Sequence, residues 1–317
     1  YEPIPKQLSE SEAKYVKGAQ ANIWAEYIST PSHLLYMAMP RMLALSEVVW
    51  STKKARNWDS FLTRMQYYYP RFDQLMIPHS KGNYQVEITP HSQGGQLTVT
   101  LETEVYNGDV YYTLDGSTPD TSAQLYTGPV KIDSSRTIKA ITVVNGKNKS
   151  TTVAAQEFVM HKAIGRDVTY TYPISTHYTA DGPNSLTDGV RGTNAVGQYW
   201  HGISGQNMIA TISFDTATKV ETISIGCLQN FVDWIMLPKW VKFEVSDDGK
   251  QFREVAIVNN PVSVEERTST IHEFTGSFAP QTVKAIRVTV QALDKLPESH
   301  PGAGLPAWIF ADEIVVK

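Results

Sequence analysis

The chain has 317 residues, a formal net charge of −4, 41% hydrophobic side chains and a single cysteine. That length calls for two or three folding units, and the mildly acidic balance argues against a nucleic-acid or anionic-membrane surface. Cys227 alone excludes an internal disulfide framework or a cysteine zinc cage; set in the apolar run Thr222 to Cys227, it reads as an inert buried thiol. No apolar stretch reaches the length of a membrane span. No secretion signal is visible, but with Tyr rather than Met at position 1 that absence says little about export.

The first informative tract is Gly18 to Tyr27. As a strand it places Gln20, Asn22, Trp24 and Glu26 on one face and Ala19, Ala21, Ile23 and Ala25 on the other. An indole beside a carboxylate suits a sugar ring, the plate covering C–H surface while the acid accepts from hydroxyls. The alternative is a buried strand whose polar face packs inside a barrel. Thr30-Pro31-Ser32 then reads as a helix start with a capping hydroxyl. Leu34, Leu35, Ala38, Met42, Leu45 and Val49 carry helical spacing through Trp50, with Pro40 expected to kink or split the run. A second amphipathic helix from about Trp58 would bury Phe61, Leu62, Met65, Phe72 and Leu75. Arg41 and Glu47, charges amid apolar neighbours, read as a structural ion pair rather than catalysts. One strand and two or three helices cannot close a barrel, so these helices are expected to leave an apolar face uncovered.

From about residue 83 the pattern changes to short alternating strands punctuated by Gly, Asp and Pro. Tyr84–Thr89, Gln96–Thr103, Val110–Leu114, Val130–Ile132, Thr137–Val144 and Thr152–Val159 fit it. Asp115-Gly116 and Asn145-Gly146 are turn signals, and Asp115 reads as a turn residue before a ligand contact. A further strand-rich stretch runs from about residue 163, with strands over Met208–Phe214, Val220–Gly226, Val241–Ser246, Arg253–Val258, Thr268–Phe274, Ala285–Gln291 and Glu313–Val316. There is no internal repeat, nucleophile elbow, phosphate loop or His-X-X-X-His spacing.

These pieces carry family resemblances. Gly18 to Tyr27, followed by Met39-Pro40-Arg41-Met42-Leu43-Ala44-Leu45-Ser46-Glu47-Val48-Val49-Trp50 and Trp58-Asp59-Ser60-Phe61-Leu62, resembles the last strand and closing helices of family 20 glycoside hydrolases, the β-N-acetylhexosaminidases often called chitobiases. Val110 to Pro119 resembles the small immunoglobulin-like domain at the C-terminus of chitobiases. Leu186 to Thr193 with Tyr199-Trp200, Val241 to Phe252, and Ala307 to Ile314 resemble the discoidin or coagulation-factor type C module, which includes family 32 carbohydrate-binding modules. The fold expected is multidomain: an α-helical remnant of a (β/α)8 barrel over 1–79, an immunoglobulin-like β-sandwich over 80–162 and a discoidin-like jelly roll over 163–317.

The first resemblance implies that Trp24 and Glu26 line the pocket for a terminal N-acetylhexosamine. The family's catalytic Asp-Glu pair and its acetamide-orienting Tyr would precede Tyr1, so this chain by itself is expected to be inactive. The third resemblance implies a sugar-binding end, with Trp234, His300 and Trp200 as candidates among Tyr199, His201, Phe231 and Trp308. It also implies a structural calcium ion held by Asp188, Thr193 and Glu313 with the backbone of Ser185, Val190 and Asp312. An Asp-Gly turn and a strand acid without metal is the other reading. No cofactor is expected for catalysis, and the partners are N-acetylhexosamine-containing glycans and the rest of the barrel. Export to the periplasm, cell surface or medium is expected by resemblance. Three readings stand: the closing part of a glycosidase, a glycan-binding protein, or a structural tail.

Overall fold

The computed structural model describes residues 2–150, 152–197 and 199–317, and only the backbone of Tyr27 and Asn83. After a short α1 (Glu10–Ala13) the chain is extended to Trp24 and turns through a 3-10 segment, Ala25–Tyr27. The strand expected over 18–27 does not form. Strand N–H and C=O groups need a bonded neighbour, and none of the described strands pairs with this segment.

The helices follow their local chemistry. Thr30 Oγ1 accepts the His33 N–H at 3.1 Å and Pro31 opens α2 (Pro31–Ala38). Pro40 lacks the N–H that would continue the ladder, so the run splits there and α3 spans Arg41–Trp50. Asn57 Oδ1 caps α4 (Trp58–Gln74) by accepting the Ser60 N–H at 2.8 Å. The expected Arg41–Glu47 ion pair is not made. Arg41 Nη1 instead donates to the Met37 carbonyl at 2.9 Å, and Glu47 pairs with Arg64 of α4 at 2.6 Å. α4 buries Met65, Tyr69 and Phe72 against Tyr84 and Val105. Leu75, expected in that stripe, is exposed because the helix ends at Gln74, and Phe61 and Leu62 are half-buried. α2 and α3 bury no residue; Leu34, Leu35, Met42, Val49 and Trp50 face outward.

The next stretch is β-sheet throughout: β1 (Glu87–Gln93), β2 (Gln96–Glu102), β3 (Asp109–Thr113), β4 (Gln124–Leu125), β5 (Val130–Ile132), β6 (Arg136–Val144), β7 (Lys147–Asn148) and β8 (Ala154–Phe158). One sheet is ordered β1-β2-β5; the other is β4-β3-β6-β7, with β8 on β6. Alternate residues Leu97, Val99 and Leu101 of β2 meet Ile138, Ala140 and Phe158 in a shared core. Asp115 behaves as a turn residue, its Oδ1 accepting from the backbone and hydroxyl of Ser117 at 3.0 and 2.6 Å. Asn145 and Gly146, with φ of 51° and 70°, make the tight reversal between β6 and β7.

The remainder adds β9 (Val168–Tyr170), β10 (His201–Ser204), β11 (Met208–Gln229), β12 (Trp240–Ser246), β13 (Arg253–Asn259), β14 (Thr270–Gln291) and β15 (Trp308–Val316). Two pairs of expected strands prove continuous: 208–226 lies within β11 and 270–291 is all β14. Register shifts between Ser213 and Thr218 and between Val220 and Thr222 bend this pair. The sheet order is β10-β15-β11-β14-β12-β13, with β9 on β11, and the sheet curls around one apolar interior. Cys227 is fully buried there, and burial lifts its thiol pKa well above the ordinary range.

Phe158 closes β8, is fully buried in the second core and pairs with Val190 across to the last stretch. Phe158→Ala is expected to cost about 3–5 kcal/mol. Urea unfolding checks this, and a loss below about 1 kcal/mol would contradict the packing described.

Candidate functional site

Two places hold the residues singled out by sequence. The first is the Trp24–Glu26 tract. Trp24 is extended (φ −83°, ψ 122°) and 80% exposed, and Glu26 is exposed beside it. The two project from a segment that makes no sheet. A groove of about 1050 Å³ runs between α4, the β1–β2 sheet and the 180–199 loop, and neither Trp24 nor Glu26 lines it.

The second is the last sheet. Trp200, a candidate sugar platform, is fully buried; its ring lies against Gly192 and its Nε1–H donates to the Thr193 carbonyl at 3.0 Å. His300 is also buried. Its Nδ1 accepts the Gly302 N–H at 2.9 Å, which leaves Nε2–H to donate to the Phe231 carbonyl at 2.6 Å. Burial thus takes Trp200 and His300 out of reach of a ligand, and Phe231 and His201 with them. Trp234 differs: it is 37% exposed, stands edge-on to His300 at 5.8 Å, and leans on Gly302.

The expected calcium ligands are only partly brought together. Ile225 pairs with Ile314 and Cys227 with Ala311, so Asp312 and Glu313 together oppose Gly226. This β-bulge carries both acids inward. Asp312 Oδ1 accepts the N–H groups of Gly226 and Glu313 at 3.0 and 2.5 Å. Its Oδ2 accepts Arg191 Nε at 2.8 Å and the Gly192 N–H at 3.0 Å. Glu313 Oε1 accepts the Gly189 N–H at 3.0 Å and His161 Nε2 at 2.6 Å, while its Oε2 has no partner. Asp188 lies beside it, its Oδ1 holding the Val190 N–H at 2.8 Å. Burial first, and then the Glu313 charge, push the Asp188 pKa up to about 9; burial likewise lifts Glu313 well above its ordinary value. Burial pushes His161 down to about 3, so it meets Glu313 as a neutral imidazole that donates a hydrogen bond.

Thr193 does not join them. It is exposed, its hydroxyl accepts the Ala195 N–H at 3.3 Å, and its carbonyl is used by Trp200. The hydroxyl of Ser185 is buried without a partner. Among the described residues no group of three or more His, Cys, Asp or Glu side chains is placed to hold a metal ion. Sequence reasoning missed Arg191 and His161. Arg191 sits inside the Asp-Gly loop and could have been flagged as a charge two residues from a turn, whereas nothing local to Met160-His161-Lys162 marks the histidine.

Two protein families match parts of the chain. Residues 1–53 match the glycosyl hydrolase family 20 catalytic domain. Residues 91–154 match the chitobiase/beta-hexosaminidase C-terminal domain. A beta-hexosaminidase of Porphyromonas gingivalis is 32% identical over 161 residues, covering 47% of this chain and 20% of that protein. A beta-hexosaminidase of Akkermansia muciniphila is 36% identical over 80 residues, covering 25% of this chain and 15% of that protein. The chain thus spans a fifth or less of the length of these relatives. A chitosan-binding module of a Paenibacillus sp. IK-5 chitosanase/glucanase covers 49% of this chain with 96% of its own, at 13% identity and a TM-score of 0.33.

His201 gives a pH signature. Its ring is buried, Nε2 lies 2.9 Å from the Gly182 carbonyl, and burial pushes its pKa down to about 4. The unfolded histidine takes up a proton near pH 6.5 and the folded one does not, so this contribution is present above 6.5 and lost as pH falls towards 4. The stability of the wild type over His201→Gln is expected to shrink by about 3 kcal/mol across that window. Denaturation of both proteins at several pH values measures it, and a constant difference would contradict the assignment.

Proposed function

We propose that this chain is the closing part of a β-N-acetylhexosaminidase that releases terminal N-acetylhexosamine from oligosaccharides or glycans by substrate-assisted catalysis. The supporting observation is the order of the two family matches along one chain, with Trp24-Ala25-Glu26 inside the first. In that scheme an acid protonates the glycosidic oxygen and the substrate's acetamide oxygen attacks the anomeric carbon. Trp24 would cover the sugar's C–H face and Glu26 would accept from its hydroxyls. Both bind and orient, and binding that is equal in ground and transition states leaves the barrier in place. The unpaired 18–24 segment and the outward apolar faces of α2 and α3 fit elements that need a barrel's other staves and helices beside them.

A second reading concerns the last stretch, residues 163–317, taken as a discoidin-like jelly roll following an immunoglobulin-like unit. The exposed Trp234, held at φ 65° over Gly302, favours a carbohydrate-binding loop there. Glycans with N-acetylhexosamine are the proposed ligands, and export from the cytoplasm goes with that role.

The purified 317-residue chain is expected to show no turnover of a nitrophenyl N-acetylglucosaminide; measurable hydrolysis would refute the division of labour. In the enzyme carrying the whole barrel, Trp24→Ala should raise KM and lower kcat, and an unchanged rate profile would remove Trp24 from the pocket. A glycan array with the chain and its Trp234→Ala variant tests the second reading: signal lost in the variant supports it, and silence from both rejects it.

A further inference from the structure

Asn145-Gly146 forms the turn between β6 and β7, and the same pair has a chemistry of its own. The main-chain nitrogen that follows an asparagine can attack the side-chain amide, and glycine puts no Cβ in its way. The sequence holds two such pairs, Asn107-Gly108 and Asn145-Gly146. Both asparagines are exposed, with φ of 53° and 51°, so composition and turn conformation alone do not tell them apart.

Their surroundings do. Gly108 is boxed in: its N–H donates to the Val105 carbonyl at 3.1 Å, and a Cβ there would meet Val105, Thr142 and Thr103 at 3.1, 3.2 and 3.3 Å. Val105 is in turn buried with Met65, Tyr69 and Phe72 of α4. Freeing the Gly108 nitrogen therefore means opening a turn against which α4 is seated. Gly146 is unencumbered. A Cβ there would meet nothing within 4 Å, its N–H makes no backbone bond among the described residues, and every residue from Asn145 to Lys149 is exposed. β7 is held to β6 by the pairs Val143 with Asn148 and Val144 with Lys147, so few bonds have to break for the hairpin tip to open.

We propose that Asn145 is a site of spontaneous covalent modification, with water as the co-reactant, and that the fold spares Asn107. The Gly146 nitrogen gives its proton to base and attacks Cγ of Asn145. A C–N bond forms, and the side-chain nitrogen takes up a proton and leaves as ammonia. Water then opens the resulting cyclic imide at one of its two carbonyls. Opening at Cγ gives aspartate; opening at the main-chain carbonyl gives isoaspartate, in which the chain runs through Cβ. Nothing is oxidised or reduced. Either product places a new negative charge in the turn beside Lys147, and isoaspartate lengthens the turn by one carbon, which shifts the register on which the β6–β7 pairs depend.

The experiment incubates the whole 317-residue chain at mildly alkaline pH, native and in concentrated guanidinium chloride, and follows its tryptic peptides by mass spectrometry. The peptide Ala140–Lys147 carries Asn145 as its one asparagine; conversion exchanges the amide NH2 for OH and splits the peptide into two isomers. In the native chain Asn145 should convert at least about tenfold faster than Asn107, the gap reflecting the cost of opening the packed turn. In denaturant, where neither turn persists, the two rates should agree within about twofold. Equal native rates, or a faster Asn107, would overturn the proposal. So would a tenfold gap that persists in denaturant, because the flanking residues and not the fold would then decide. A native chain whose Asn145 stays intact while the denatured sample converts would overturn it as well.

Discussion

Asp312 and Glu313 are carried into the interior by a bulge in the last strand, and the C-terminal half of the chain is arranged around meeting their demand for donors. A buried carboxylate is costly unless its lone pairs are filled. The donors come from far apart in sequence: Gly189, Arg191 and Gly192 from the Asp-Gly loop, Gly226 from β11, and His161 from the segment joining the sheets. Each bond ties a different piece of chain to β15. The turn in the loop, the glycine opposite the bulge and the histidine before β9 therefore answer one electrostatic requirement. The aliphatic interior of the curled sheet stabilises the fold, while these acids determine which loops lie where.

The opposite end shows what happens when such a requirement is not met within the chain. Residues 18–24 alternate as a strand should, but alternation only states a preference for neighbours on either side. Without them the backbone groups are left to solvent and the segment turns through 3-10 geometry at Glu26. α2 and α3 form because capping and i→i+4 bonds are local, and they form with their apolar faces uncovered. α4 does better, since Met65, Tyr69 and Phe72 find Tyr84 and Val105. The helical stretch thus grades from helices with uncovered apolar faces to a helix docked on the β-sheet that follows.

This contrast explains what was legible in the sequence. Thr30-Pro31, Asn145-Gly146 and Asp115-Gly116 act through their nearest neighbours, and each does in the fold what its composition indicates. Alternating strands were placed to within a few residues. Two joins were not seen, because the bends inside β11 and β14 look in sequence like loops between separate strands. The ion pair expected between Arg41 and Glu47 failed because a long-range partner, Arg64, was better placed. Aromatic residues in loops were the weakest guide: Trp200 and His300 have the composition of a binding surface and are buried. His161 was invisible, since its role depends on Glu313, more than a hundred residues away. Trp24 and Glu26 were readable as a neighbouring indole and acid, but the strand that would align them on one face needs bonded neighbours, and none of the described strands supplies them.

The central claim is that the bulged acids organise the loops through backbone donors, and amide hydrogen exchange followed by NMR tests it most directly. The N–H groups of Gly189, Gly192 and Gly226 should exchange as slowly as those of the β11 interior, because each is bonded to a buried carboxylate. Exchange of these three amides as fast as that of the exposed Gly197 would contradict the account.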